Sequence, residues 1–322
     1  MSRLVLAYDL GGTNVRCGVL NEKFEILSRA KTSTGKHPKP EDVAKKMAGM
    51  ADEVLQKIGK TKKDLAVAGI GSPGPLNSQT GMIYETPNIG WHNVPLAELL
   101  QKELKVQTFL ENDAVAACWG EYIKGAGAGR GIKTMFILTL GTGVGGALII
   151  DGKVWKGIDD TAGHLGHMVI WHDGPTQVRD NPGSVEALCS ATACIRDARE
   201  AAKKHPKSML AKVPLDEING KYVDECAAKG DEVAIGILNR IGYFLGVTCA
   251  SLANAFNPEL GLIGGGLAAS GDKLLIPLRK ELKRRALDNA GKRLQVELAK
   301  LGDDAGMTGA AGLALLRHDG KL

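Results

Sequence analysis

LVLAYDLGGTNVRCGVL, residues 4–20, is the stretch whose reading decides the fold. Leu4 to Tyr8 is an apolar strand, and Cys17 to Leu20 is strand-like again. Between them, Asp9-Leu-Gly-Gly-Thr-Asn14 supplies a glycine-rich turn. MFILTLGTGVGGALII, residues 135–150, repeats the arrangement: strand, the tip Leu140-Gly-Thr-Gly-Val-Gly-Gly146, then the strand Ala147 to Ile150. Such a tip offers backbone N–H groups and threonine hydroxyls to an anion, with no side chain in the way. Two of them, one in each half, suit the phosphates of a nucleotide held between two lobes. The chain reads as a phosphotransferase.

Either turn alone would be ordinary hairpin chemistry. Gly141, Gly143 and Gly146 also fit the dinucleotide-binding pattern G-x-G-x-x-G. That pattern needs a helix directly after the glycines, to bind the pyrophosphate at its N-terminus. Here a second strand follows, ending at the turn Asp151-Gly152, so a Rossmann reading fails. A P-loop fails as well: Gly59-Lys60-Thr61 resembles its end, but the upstream glycine position is Val54, inside a helical pattern.

The chain has 322 residues, enough for two domains with a large buried core. Its net charge of +5 is spread along the sequence, and the basic run Lys280 to Arg285 lies on an amphipathic helical pattern. A solvated face is expected there, not a nucleic-acid patch. No signal peptide precedes the first strand and no uninterrupted apolar run reaches bilayer length. Six cysteines are scattered without C-x-x-C spacing, as for reduced thiols in a cytoplasm. These features predict a cytoplasmic protein with neither membrane nor nucleic-acid partners.

Three strands open the chain, near Leu4–Tyr8, Cys17–Leu20 and Phe24–Ala30. A helix over Glu41–Ile58, a strand at Leu65–Ile70, a helix at Pro95–Leu104 and a strand at Val106–Leu110 follow. The second half repeats that order, with strands at Thr134–Leu140, Ala147–Ile150, Lys153–Trp155, Glu259–Ile263 and Leu294–Ala299 and a last helix over Ala305–Leu316. The repeat predicts an α/β fold of two mixed-sheet βββαβαβα lobes. The expected division is a small lobe over residues 1–111 and a large one over 112–304, around a cleft, with helix 305–322 returning to the first.

Six motifs in order give the chain a family resemblance: DLGGTN at 9–14, GSPGP at 71–75, ENDA at 111–114, LGTGVGG at 140–146, GHLGH at 163–167 and LIGGG at 262–266. They span nearly the whole length, and the chain resembles the ROK group of sugar kinases and repressors, on the two-lobed actin/hexokinase-like ATPase fold. The resemblance implies a kinase for the 6-hydroxyl of a hexose, with ATP and Mg²⁺. Glucose, as in glucokinases, is the leading acceptor. The alternatives are N-acetylmannosamine, N-acetylglucosamine, mannose or fructose, and polyphosphate as donor. A role in carbohydrate metabolism at the head of glycolysis and a homodimer are implied too.

Phosphoryl transfer needs neutralisation of phosphate charge and a base beside the acceptor hydroxyl. Asp9 ends the first strand, where a carboxylate can hold Mg²⁺ through water; a purely structural reading makes it an Asx-type cap. Gly11, Gly12, Thr13 and Asn14 form the first phosphate loop, and Thr139, Gly141, Thr142 and Gly143 the second. Gly264, Gly265 and Gly266, between strand and helix, line the adenosine side by resemblance. Asp113 sits at a strand end before a helical run, the position where α/β sheets bind ligands, although Asn112 and Asp113 also suit helix capping. By resemblance Asp113 takes the proton of the 6-hydroxyl and Asn112 bonds a ring hydroxyl. Ser72, Gly74 and Pro75 form a stiff wall of the pocket.

By the same resemblance His164, His167 and Glu186 line the 1- and 2-hydroxyl side of the sugar. Many relatives carry Glu where this chain has His164, and three cysteines that complete a structural zinc site with the following His. Those cysteine positions hold Gln177, Arg179 and Ser184, so a Cys₃His site is impossible and no zinc is expected. Packing and hydrogen bonds around Trp171 and Arg179 are expected to hold the loop instead. A neutral His both donates and accepts, whereas an ionised Glu only accepts, so position 164 bears on the choice of sugar. A sugar-responsive repressor is the competing class. It would carry a helix-turn-helix before the first motif, and here that motif starts at residue 9. A sugar sensor without catalysis would need no phosphate loops.

Overall fold

The computed structural model describes residues 3–86, 88–177 and 180–322. It divides into two compact units. The first comprises residues 1–131, 154–163 and 300–322, and the second residues 132–153 and 164–299.

In the first unit β1 (Leu4–Leu10), β2 (Asn14–Leu20) and β3 (Ile26–Ser33) form an antiparallel meander. Next come α1 (Pro40–Gln56), β4 (Leu65–Ser72), β5 (Leu76–Asn77), β6 (Met82–Thr86), β7 (Trp91–Val94), α2 (Leu96–Leu104), β8 (Thr108–Asn112) and α3 (Asp113–Ile123). The second unit holds β9 (Met135–Leu140), β10 (Val144–Ile150), β11 (Lys153–Trp155, whose last two residues group with the first unit), α4 (Val185–Cys189), α5 (Ala191–Lys204), α6 (Gly220–Ala228) and α7 (Glu232–Phe256). It closes with β12 (Leu260–Gly264), α8 (Asp272–Arg285), α9 (Asp288–Arg293) and β13 (Gln295–Leu298), and α10 (Ala305–His318) belongs to the first unit.

The two five-stranded sheets share one topology. The orders are β3-β2-β1-β4-β8 and β11-β10-β9-β12-β13. In each, a hairpin of antiparallel strands is extended by two strands parallel to the first of the hairpin. This duplicated mixed sheet is the actin/hexokinase-like ATPase fold that the sequence implies.

Side-chain alternation explains how the first sheet is covered on both faces. Leu4, Leu6, Tyr8 and Leu10 of β1 join the core under α1 and α2, while Val5 and Ala7 point the other way into α10. On α1, Val43, Met47, Met50, Val54 and Leu55 recur at helical spacing on one buried face. Tyr8 ends its path there, donating its hydroxyl to the carbonyl of Met47 at 2.8 Å.

A three-stranded antiparallel sheet, β5-β6-β7, lies between β4 and α2 and has no counterpart in the sequence reading. Its strands have two, five and four residues, too short for a period-two pattern to emerge. Helix α7 is, by length and composition, apolar enough to cross a bilayer, with a mean hydropathy of 1.5. Asn239-Arg240 interrupts its apolar run, and 56% of that window is buried inside the unit, as in the core helix of a globular fold.

Candidate active site

The carboxyl ends of β1, β4 and β8 bring together the candidate residues of the first unit. Register places Gly71 of β4 beside both Asp9 and Glu111, and Ser72 beside Asn112. Asp113 begins α3 one residue beyond β8. Its carboxyl is half-buried, and Oδ1 accepts the N–H of Ala114 at 2.7 Å. Burial, with a smaller contribution from the nearby charge of Asp9, outweighs the backbone hydrogen bonds that lower its pKa and leaves it pushed up to about 6. A carboxylate with that pKa is a proton acceptor poised just below neutrality.

Asn112 caps α3. Its Oδ1 accepts from Ala114 at 3.0 Å and Val115 at 3.2 Å, so the capping function is real. Its Nδ2 makes a long contact of 3.4 Å to the carbonyl of Gly74 and is the polar atom that remains for a ligand. Gly74 has φ +94°, and a Cβ there would overlap the carbonyl of Glu85, so only glycine fits. The neighbouring Pro75 carbonyl accepts from Tyr84 at 2.9 Å, which lays the 72–75 loop on β6. Ser72 is buried, with its hydroxyl 3.3 Å from the carbonyl of Pro73.

Asp9 is joined by Arg16, which lies directly opposite it in the β1–β2 register and donates to Oδ2 at 3.0 Å. Arg16 in turn pairs with Asp303 at 2.7 Å. Desolvation raises the Asp9 pKa, and Arg16 opposes the shift. Oδ1 accepts no hydrogen bond among the described residues, and a Cβ at Gly306 would lie 3.2 Å from it. One free carboxylate oxygen suits Mg²⁺, which keeps most of its water. Among the described residues no cluster of three or more His, Cys, Asp or Glu is arranged to hold a metal.

The first tip is tied down from behind. Gly11 donates to the carbonyl of Asn14 at 2.8 Å, Thr34 Oγ1 to Gly11 at 2.7 Å and the Thr34 N–H to Thr13 at 2.9 Å. The N–H groups of Gly12 and Thr13 have no acceptor among the described residues. The second tip is built alike: Gly141 donates to Gly143 at 2.9 Å, Ala191 to the Gly141 carbonyl at 2.8 Å, and the N–H groups of Thr142 and Gly143 have no acceptor among the described residues. Two unbonded N–H groups per tip are the donors that an anion cradle requires. Register sets Thr139 beside Gly264, and Gly265, at φ +82°, lies against Leu140, where a Cβ would be 2.5 Å from its carbonyl oxygen. Thr139, Gly141–Gly143 and the third glycine run are thus gathered in the second unit.

Glu186 is buried, and its Oε2 accepts the N–H of Val144 at 2.9 Å, so it supports the second tip. Nothing in the sequence signals this bond, which joins residues 42 apart. Arg16, also absent from the sequence reading, was legible in principle, since a turn centred on 11–14 sets it opposite Asp9. His164 and His167 flank one turn of 3₁₀ helix with ring centroids 6.2 Å apart. Burial, and secondarily His167, lowers the His164 pKa and keeps the ring neutral. His172 Nε2 lies 3.0 Å from Asp173 Oδ2 on the surface.

Hydrogen bonds hold residues 168–177 and 180–184. Gln177 donates to the Thr142 carbonyl at 3.0 Å and accepts from Ser190 at 2.7 Å, and Asn181 donates to His167 at 3.0 Å. Ser184 caps α4, and Val169 bridges to Ser184. Trp171 stacks on Phe244 at 5.9 Å beneath Arg240. Arg179 lies outside the described residues.

The duplicated mixed sheet, with a glycine-rich tip in each unit, places the chain in the class of actin/hexokinase-like ATPase folds. The chain belongs to the ROK family, whose model matches residues 5–317. It is similar to a glucokinase of Halalkalibacterium halodurans, 35% identical over 315 residues that cover 97% of this chain and 94% of that one. A glucokinase of Thermotoga maritima is 35% identical over 319 residues, 98% of each chain. Among solved structures, a ROK glucokinase from Streptomyces griseus in complex with glucose and AMPPNP superposes with a TM-score of 0.83 at 32% identity, covering 97% of this chain and 99% of that one.

Proposed function

We propose that this chain is an ATP-dependent hexose kinase that transfers the γ-phosphoryl group to the 6-hydroxyl of glucose. The observation that carries the reading is Asp113, held at the junction of β8 and α3 with its pKa pushed up to about 6. Near-full-length similarity to glucokinases supports glucose as acceptor. Asp113 accepts the proton as the sugar oxygen forms its bond to the γ-phosphorus, and the bond from phosphorus to the β–γ bridging oxygen breaks to release ADP.

The free N–H groups of Gly12 and Thr13 in the first unit, and of Thr142 and Gly143 in the second, are assigned to phosphate oxygens. Gly264–Gly266 take the adenosine side. Asp9, through Oδ1 and water, would hold Mg²⁺, which when bound neutralises charge on the transferring phosphates. Asn112 Nδ2, His164, His167 and Glu186 are assigned to the sugar, with Ser72, Gly74 and Pro75 as its wall. Six buried cysteines without a disulfide favour a reducing, cytoplasmic setting.

Neutral His164 offers both a donor and an acceptor toward C1 and C2, which also suits an N-acetylhexosamine. The deciding experiment is a coupled ADP-release assay with Mg·ATP, and separately polyphosphate, against hexoses and N-acetylhexosamines. Glucose is expected to give the highest kcat/KM. Preference for N-acetylmannosamine would reassign the acceptor, and no turnover on any sugar would overturn the kinase.

A further inference from the structure

Buried ion pairs contribute little to stability, because desolvation offsets their attraction. The most buried ionic cluster of the first unit therefore calls for another role. Glu111, Lys156, Asp160 and Arg317 expose only 6, 14, 10 and 7% of their side chains. Glu111 Oε2 pairs with Lys156 and, at 3.3 Å, with Arg317. Asp160 accepts from the N–H and hydroxyl of Ser78, each at 2.7 Å, and Lys156 donates to that hydroxyl at 3.0 Å. Arg317 completes the ring through the Ser78 hydroxyl and carbonyl. Two cations and two anions balance.

What the cluster grips is the end of β8. Arg317 donates to the carbonyl of Leu110 at 3.3 Å, both cations hold the Glu111 carboxylate, and Glu111 Oε1 accepts the N–H of Asn112 at 3.0 Å. Three successive residues are fixed immediately before Asp113. β8 is the last strand of its sheet and has a ladder partner there on one side only, so this clamp supplies restraint that the sheet lacks.

We propose that Lys156 and Arg317 are positioning residues for Asp113, acting through Glu111 on the backbone that carries it. The proposal rests on Asp113 being the base. A displacement of about 1 Å at a reacting group can cost about 10²-fold in rate, so loss of the clamp appears in kcat, while the nucleotide-binding tip, tied down by Thr34, is untouched.

The test replaces both partners, Lys156→Met with Glu111→Gln, so that the cluster loses one charge of each sign and stays neutral overall, and uses Lys156→Arg as the conservative control. We expect kcat to fall about ten-fold or more at temperatures well below melting, AMPPNP affinity by calorimetry to stay within about two-fold, and Lys156→Arg to retain most of the activity. A folded double variant with wild-type kcat overturns the proposal, as does a parallel loss of AMPPNP binding. Should the double variant not fold, Arg317→Lys keeps the charge and loses the fork. It is expected to lower kcat with nucleotide affinity unchanged, and wild-type kcat in that variant overturns the proposal. Asp113→Asn with near-normal turnover would instead sink the assignment of the base, which separates the two failures.

Discussion

The raised pKa of Asp113 sets its proposed role against stability. A folded-state pKa of about 6, above the ordinary aspartate value of 3.8, means the native protein binds its proton more tightly than the unfolded chain does. Between those two values stability falls as pH rises, because ionisation is easier in the unfolded state. At pH 7 the ionised, desolvated carboxylate is a destabilising feature, and the proposed role as base gives a reason for keeping it. Asp113→Asn is accordingly expected to raise stability at pH 7 by about 1–3 kcal/mol, read as a higher melting temperature. It should lower kcat by about 10²–10⁴-fold. Wild-type kcat/KM should fall about ten-fold per pH unit below about 6. A flat profile from pH 5 to 8 would show that another group carries the acid limb.

The position of this residue was legible because a strand followed by Asn-Asp and a helical run is a local pattern. The pairing of Glu186 with Val144 was not, since it depends on where two distant segments meet. For Asn112 sequence suggested both capping and ligand binding: Oδ1 makes the cap, and Nδ2, 3.4 Å from the Gly74 carbonyl, is the atom left over for the proposed second role.

At the scale of elements, the packing of α3 on α10 decides where the site residues sit. Helix α3 starts with Asp113, and Gly306, in the first turn of α10, lies against Asp9. The two backbones approach closely because small residues face each other. A Cβ on Gly309 would overlap the carbonyl of Ala116, and one on Gly120 would overlap the carbonyl of Ala305. Backbone atoms cannot turn aside as a side chain can. Gly309→Ala is therefore expected to destabilise by about 1–3 kcal/mol or more, measured by urea denaturation, and to lower kcat by shifting the ends of both helices. Gly49→Ala, where a Cβ on α1 meets nothing within 4 Å, is the control and should be neutral or slightly stabilising. Equal stability of the two variants would refute the close-packing account. Sequence marks α10 as a helix through its composition, but its glycines reveal their purpose only once the partner backbone is known. The short strands β5, β6 and β7 escaped for a different reason, having too few residues for any period to register.

For the molecule as a whole, the twofold recurrence of strands and helices was readable along the chain, because each sheet is built from the same run of elements. The interruptions of each unit, at residues 131–132, 153–154, 163–164 and 299–300, follow from long-range contacts that leave no compositional mark. The same holds for how the 168–184 loop keeps its shape, where Gln177, Asn181 and Ser184 bond to Thr142, His167 and the start of α4. Hydrogen bonds of this kind need no metal, so folding and catalysis should separate in their metal requirements. Dialysis against EDTA is expected to leave the melting temperature within about 1–2 °C of the untreated protein, since a structural zinc site would supply folding free energy outright. Activity should vanish with EDTA and return with Mg²⁺ alone, because the transferring phosphates still need their charge neutralised. Gln177→Ala frees the Thr142 carbonyl from one of its two side-chain donors, the other being Thr192 at 2.7 Å, so it should raise the KM for ATP more than that for the sugar. Stoichiometric zinc in the purified protein by elemental analysis, or a large melting shift on chelation, would show that a metal and not this hydrogen-bond set fixes the loop.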